Sequence, residues 1–110
     1  MIKVNYVVSN NLIKSVSIKG HAFYDTYGKD IVCAGISCIT QTAVLGIKKL
    51  TNIKTNYVVD KNKGYLKLEL TDIEDTQDFH DSQVMLNCML CVIEDLYKQY
   101  PKYIKLEVKQ

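Results

Sequence analysis

His21 and Cys33 are the residues whose types and spacing could do chemistry. A thiolate is a strong nucleophile, but a free thiol has a pKa of about 8.5 and is mostly protonated at neutral pH. A helix N-terminus and a neighbouring imidazole both lower that value. Here Gly20-His21-Ala22 ends a strand-like run, Phe23 to Gly28 forms an aromatic loop closed by a glycine, and Asp30-Ile31-Val32-Cys33 opens a helical pattern. That order suits a thiol catalyst, with His21 as general base and Cys33 as nucleophile. His80 lies in an acidic helix start and reads as a surface residue, leaving it as the rival base. On these residues alone, Cys33 as a small buried hydrophobe is the competing reading.

The elements that must position the pair follow from apolar periodicity. Ile2, Val4, Tyr6 and Val8 alternate with other side chains, Ser9-Asn10-Asn11 supplies turn chemistry, and Leu12 to Lys19 forms a second strand with Val16 and Ile18 on its apolar face. His21, in phase with Lys19, leaves the sheet on the polar side. Asp30 reads first as the N-cap of a helix from Ile31 to Leu50, its carboxylate accepting from Val32 or Cys33. Val32, Ile36, Ile39, Ala43, Ile47 and Leu50 form the expected core face. Cys33 lies roughly 90° away, in a flanking stripe with Ser37, Thr40 and Val44. Cys38 and Leu45 point the other way, which suggests a second subunit to cover them.

Tyr57 to Asp60 and Tyr65 to Leu70 read as a second hairpin around Lys61-Asn62-Lys63-Gly64, with Leu66, Leu68 and Leu70 inward. Acidic residues Asp72, Glu74, Asp75, Asp78 and Asp81 precede or open a second helix running through Tyr97. Its apolar face is Met85, Met89, Val92, Ile93, Leu96 and Tyr100, and Ile104, Leu106 and Val108 mark a last strand. The fold class expected is α+β, a single domain over residues 1–110 in the order β-β-α-β-β-α-β, with a mainly antiparallel sheet packed with two helices.

Composition narrows the partners. The net charge is +2, from 14 basic residues that are all lysine against 12 acids. Without arginine for bidentate base contacts, a nucleic-acid partner is not expected. The N-terminus reads as a strand rather than a leader, and no uninterrupted apolar run suggests a membrane span, so a cytoplasmic protein without a membrane partner is expected. Four cysteines then read as thiols. Cys88-Met89-Leu90-Cys91 lies in mid-helix, away from the helix start that a redox motif would use. Cys33 and Cys38 point roughly 140° apart on their helix and cannot share an ion, so no metal is expected. Cys38, Cys88 and Cys91 read as structural filler.

Gly20-His21-Ala22, then Gly28-Lys29-Asp30-Ile31-Val32-Cys33-Ala34, then Ser37 resembles the signature of Prp, the ribosomal-processing cysteine protease family of Firmicutes and their relatives. Gly35 stands where that family would have alanine and suggests a close approach by another element. The resemblance implies a dimeric cysteine endopeptidase with no cofactor, Cys33 as nucleophile and His21 as base. It implies as substrate the N-terminal extension of the twenty-seventh protein of the large ribosomal subunit. Within that frame, backbone amides at the helix start, including that of Cys33, are oxyanion candidates. Asp30 could orient His21 besides capping the helix, and Ser37 could line the cleft or bond a helix carbonyl. Phe23, Tyr24, Tyr27 and Gly28 read equally as a substrate-covering loop with a glycine hinge and as rings covering the core edge. The rival function is a non-enzymatic ribosome-associated module that binds RNA or protein through the lysine-bearing sheet face.

Overall fold

A computed structural model describes residues 1–22, 24–26, 29–71 and 74–110. The elements follow the expected order: β1 (Ile2–Ser9), β2 (Leu12–Lys19), α1 (Ile31–Leu50), β3 (Thr55–Asp60), β4 (Tyr65–Leu70), α2 (Gln77–Gln99) and β5 (Ile104–Lys109). They build one five-stranded sheet in the order β3-β4-β2-β1-β5. Every neighbouring pair is antiparallel except β1 and β5, which run parallel. The α+β architecture is therefore as the sequence implied.

Asn10 and Asn11 make the β1–β2 turn with φ of 53° and 63°. Asparagine tolerates the left-handed region, and two such residues give a hairpin turn whose twist matches the strands. The pairing then slips: Val7 faces Ser15, but Val8 faces Ile13. Lys14 is the extra residue of a β-bulge, and the slip keeps Ile13, Val16 and Ile18 all on the core face. Strand alternation alone would have turned Ile13 outward. Beyond the end of β4, the buried amide of Gln83 takes the place of a neighbouring strand, donating from Nε2 to Ile13 O and accepting from Ile13 N, each at 2.8 Å.

Both helices cover the face that carries Ile2, Val4, Tyr6, Leu68 and Ile104, which are all buried. Helix α1 contributes Val32, Ile36, Ala43, Val44 and Ile47, and α2 contributes Phe79, Leu86, Met89 and Ile93. By length and composition α1 could cross a bilayer, contrary to the sequence expectation that no stretch is so apolar. Here its apolar side is the protein core. The helices run antiparallel, since Gly35 faces Leu96 and Gly46 faces Met85. A Cβ at residue 35 would meet Leu96 Cδ1 at 3.5 Å, an ordinary contact, so glycine is not required there. The tight approach is at Gly46, where a Cβ would lie 2.9 Å from Met85 Sδ.

Two expected core positions are corrected. Leu50 is 75% exposed, because the last buried residue of α1 is Ile47 and the final turn runs past the sheet. Val92 is 40% exposed, and the face of α2 rotates instead onto Phe79, Ser82, Gln83 and Leu86. Tyr6 is fully buried and its hydroxyl has no hydrogen-bond partner among the described residues. Burial, followed by the fields of Glu94 and Cys91, pushes that hydroxyl's pKa far upward. An unpartnered buried hydroxyl costs about 1–3 kcal/mol. Tyr6→Phe is therefore expected to leave the fold intact and to raise its stability by about 1 kcal/mol in chemical denaturation, where removing a hydrogen-bonded hydroxyl would lower it.

Candidate active site

The strand end carrying His21 and the helix start carrying Cys33 are brought together by backbone. The amide of Ala22, next to His21, donates to Cys33 Sγ at 3.2 Å. Asp30 is the N-cap of α1, and its Oδ1 accepts from the Cys33 amide at 2.9 Å. Its Oδ2 accepts from the Tyr24 amide at 3.0 Å, folding the loop back onto the helix start. The carboxylate thus does two positioning jobs at once.

Electrostatics at the sulfur are mixed. The helix start and the Ala22 amide favour a thiolate. The Asp30 carboxylate also lies close to the Cys33 side chain, and a carboxylate beside a thiol opposes its ionisation. A stable thiolate therefore calls for a cationic partner, which an imidazolium at His21 can supply. For Asp30 itself burial opposes ionisation, but the amides of Cys33 and Tyr24 outweigh it and hold its pKa below the ordinary 3.8.

His21 and Cys33 stand at the head of a groove of about 800 Å³ between α1 and the β3–β4 hairpin. Ser37 lines it one turn beyond Cys33, and Ile18, Ile36, Val44, Tyr57 and Leu66 make it apolar. The expected flanking stripe of Cys33, Ser37, Thr40 and Val44 is the groove side of the helix. At the far end the Lys48 ammonium sits 4.1 Å over the Tyr57 ring. From Cys33 to Lys48 the helix rises roughly 22 Å, room for about six residues of extended chain.

The other expected site residues are placed as follows. Ser37 Oγ accepts from Gln41 Nε2 at 2.9 Å rather than bonding a helix carbonyl. Tyr24 does not line the groove; its ring meets Tyr100 and Tyr103 edge-on, at centroid distances of 5.4 and 5.2 Å, and covers the junction of α2 and β5. Phe23, Tyr27 and Gly28 fall outside the described residues. The Cys33 amide, expected among the oxyanion donors, is committed to Asp30. His80 is exposed near the start of α2 and beside Asp81. That region is tied to the far end of α1 by the Asn52 amide on Asp78, roughly 25 Å along the helix from Cys33, which removes His80 as a rival base. Cys38, Cys88 and Cys91 are exposed thiols and not core filler. Sequence reasoning missed the Ala22 amide, which carries no side-chain signal, and the groove wall from β3 and β4, which depends on strand order.

A groove of this length, apolar along its course and headed by a thiol, suits a segment of polypeptide better than a small metabolite, and the molecule takes its place among the cysteine peptidases. A family profile described as cysteine protease Prp matches residues 1–105. The ribosomal processing cysteine protease Prp of Staphylococcus aureus is 30% identical over 110 residues, 99% of this chain and 100% of its own. A crystal structure of the S. aureus protease with a covalently linked product peptide has a TM-score of 0.89 at 30% identity, covering 99% of this chain and 100% of that one. Its complex with a substrate peptide has a TM-score of 0.85 at 28% identity, over the same shares. The chain belongs to the cysteine protease Prp family, and it is a cysteine endopeptidase.

The depressed pKa of Asp30 sets a pH window. Its contribution to stability is full above the ordinary value of 3.8 and is lost as pH falls through the lower folded-state value. Asp30→Ala should cost about 1 kcal/mol of stability at neutral pH, as for other N-caps. The cost should shrink as the denaturation midpoints are measured down to about pH 2, whereas a pH-independent cost would assign the stabilisation to packing.

Proposed function

We propose that Cys33 is the nucleophile and His21 the general base of a cytoplasmic endopeptidase that removes the N-terminal extension of the twenty-seventh protein of the large ribosomal subunit. The observation that carries this reading is the Ala22 amide on Cys33 Sγ, which holds the His21 strand end against the thiol at the head of a peptide-length groove. The signature residues from Gly20 to Ser37 support the substrate, as do the S. aureus relative's name and peptide complexes.

His21 takes the proton of the Cys33 thiol, and the thiolate attacks the scissile carbonyl carbon to form a C–S bond and an oxyanion. The C–N bond then breaks, with the imidazolium giving its proton to the leaving amine. Water adds to the thioester while His21 takes its proton, the C–S bond breaks, and the acyl group leaves as a carboxylic acid with the thiol restored. The apolar groove walls favour a substrate segment with apolar side chains, since burying such side chains contributes roughly 1.5–3 kcal/mol each.

A homodimer is part of this proposal. Cys38 on α1 and Val84, Cys88 and Val92 on α2 are exposed on the helical layer, away from the sheet, where a second subunit would cover them. Incubated with the ribosomal-protein precursor and followed by intact mass, the wild-type protein, sedimenting as a dimer, should remove the extension. Cys33→Ala should leave the precursor whole, and His21→Ala should cut at a rate about 10²–10⁴-fold lower. An uncut precursor with wild-type protein would reject the substrate, and full activity in either variant would reject that residue's role.

A further inference from the structure

We infer that Gly64, at the end of the β3–β4 turn, is a positioning residue for the His21 imidazole, an inference that rests on His21 being the base. The ring edge carrying Nε2 and Cε1 lies over Gly64, where a Cβ would stand 2.9 Å from Nε2 and 3.2 Å from Cε1. Any side chain there must displace the ring. Gly64 has φ of +59°, yet the turn by itself does not demand glycine, since Asn10 and Asn11 hold φ of 53° and 63° in the β1–β2 turn of the same protein.

The seat is held rigidly from both sides. The Gly20 amide, one residue before His21, donates to Gly64 O at 2.9 Å. On the other side of that strand end, a Cβ on Gly20 would come within 2.7 Å of Met1 O. Within the turn, Asp60 Oδ1 accepts from the amides of Asn62 and Lys63 at 3.1 and 3.2 Å, and the Gly64 amide donates to Lys61 O at 3.3 Å. The far hairpin thus supplies a flat backbone surface against which the imidazole stands at the head of the groove.

Gly64→Asn tests this, because asparagine keeps the left-handed turn and adds the Cβ. The variant should fold with a thermal midpoint within a few degrees of wild type. Its kcat should fall at least tenfold with KM little changed, since Gly64 borders the groove beside His21 while the apolar walls made by Ile18, Ile36, Val44, Tyr57 and Leu66 are untouched. The pH profile of Cys33 alkylation should move toward that of a free thiol, about 8.5. The charged groups around the pair, Asp30 on the helix start and Asp60 and Lys61 on the turn, are all retained. Asp60→Ala, which frees the turn, should shift both readouts in the same direction, and Asp60→Asn, which keeps the acceptor, should restore them. A folded Gly64→Asn protein with wild-type kcat and alkylation profile overturns the inference. If Gly64→Asn does not fold, wild-type behaviour of Asp60→Ala overturns it. His21→Ala separates the two levels: an unchanged alkylation profile in that variant rejects the base, whereas a shift there without one in Gly64→Asn rejects the seat alone.

Discussion

The carboxylate of Asp30 is the constraint on which the site depends. One oxygen takes the amide of Cys33 and starts α1; the other takes the amide of Tyr24 and folds the loop back to it. With Tyr24 held there, the strand end lies against the helix start and the Ala22 amide reaches Cys33 Sγ. The same carboxylate opposes ionisation of the thiol it helps to place, so the proposed activation of Cys33 calls for a cation beside the sulfur, the part proposed for the His21 imidazole. Position and charge are thus set by one residue acting in opposite senses.

Around that junction the fold keeps part of its sheet uncovered for use. The core lies where α1 and α2 cover β1, β2 and β5, built from Val4, Tyr6, Val16, Ile47, Met89 and Ile104. Leu68 and Leu70 of β4 belong to that core, but β3 and the turn end of β4 extend beyond this cover, and the space left between them and α1 is the groove. Tyr57 and Leu66 face that space instead of being buried by a helix. An apolar peptide laid there would complete the packing that the protein leaves open, which gives the proposed preference for a hydrophobic segment a physical source.

Much of this was legible in the residues. The apolar alternation of Ile2, Val4 and Tyr6, the Asn10-Asn11 turn and the Asp30 cap are local signals, and β1, β2 and α1 lie where those signals put them. The flanking stripe from Cys33 to Val44 followed from helical geometry alone. What could not be read depends on contacts distant in the chain. The bulge at Lys14 is stabilised by Gln83 from α2, the exposure of Leu50 reflects where the sheet stops, and the groove exists because β4, not β3, pairs with β2. The Ala22 donor is backbone and leaves no mark on residue identity. Helical geometry had already turned Cys38 away from the core, but the exposure of Cys88 and Cys91 was misread because cysteine is usually buried, and only the packing of the two helices against each other shows which sides of α2 face outward.

The most direct measurement uses those same thiols. Three cysteines are exposed on the single chain and Cys33 is only half-buried, so at a concentration where the protein sediments as a monomer, accessibility and activation make opposite forecasts. The folded protein would be treated with substoichiometric iodoacetamide at about pH 6, where an ordinary thiol is almost wholly protonated, and the modified cysteine mapped by peptide mass. Carbamidomethylation first at Cys33 is the result this account predicts. Labelling that follows exposure, with Cys38, Cys88 or Cys91 ahead of Cys33, would contradict it.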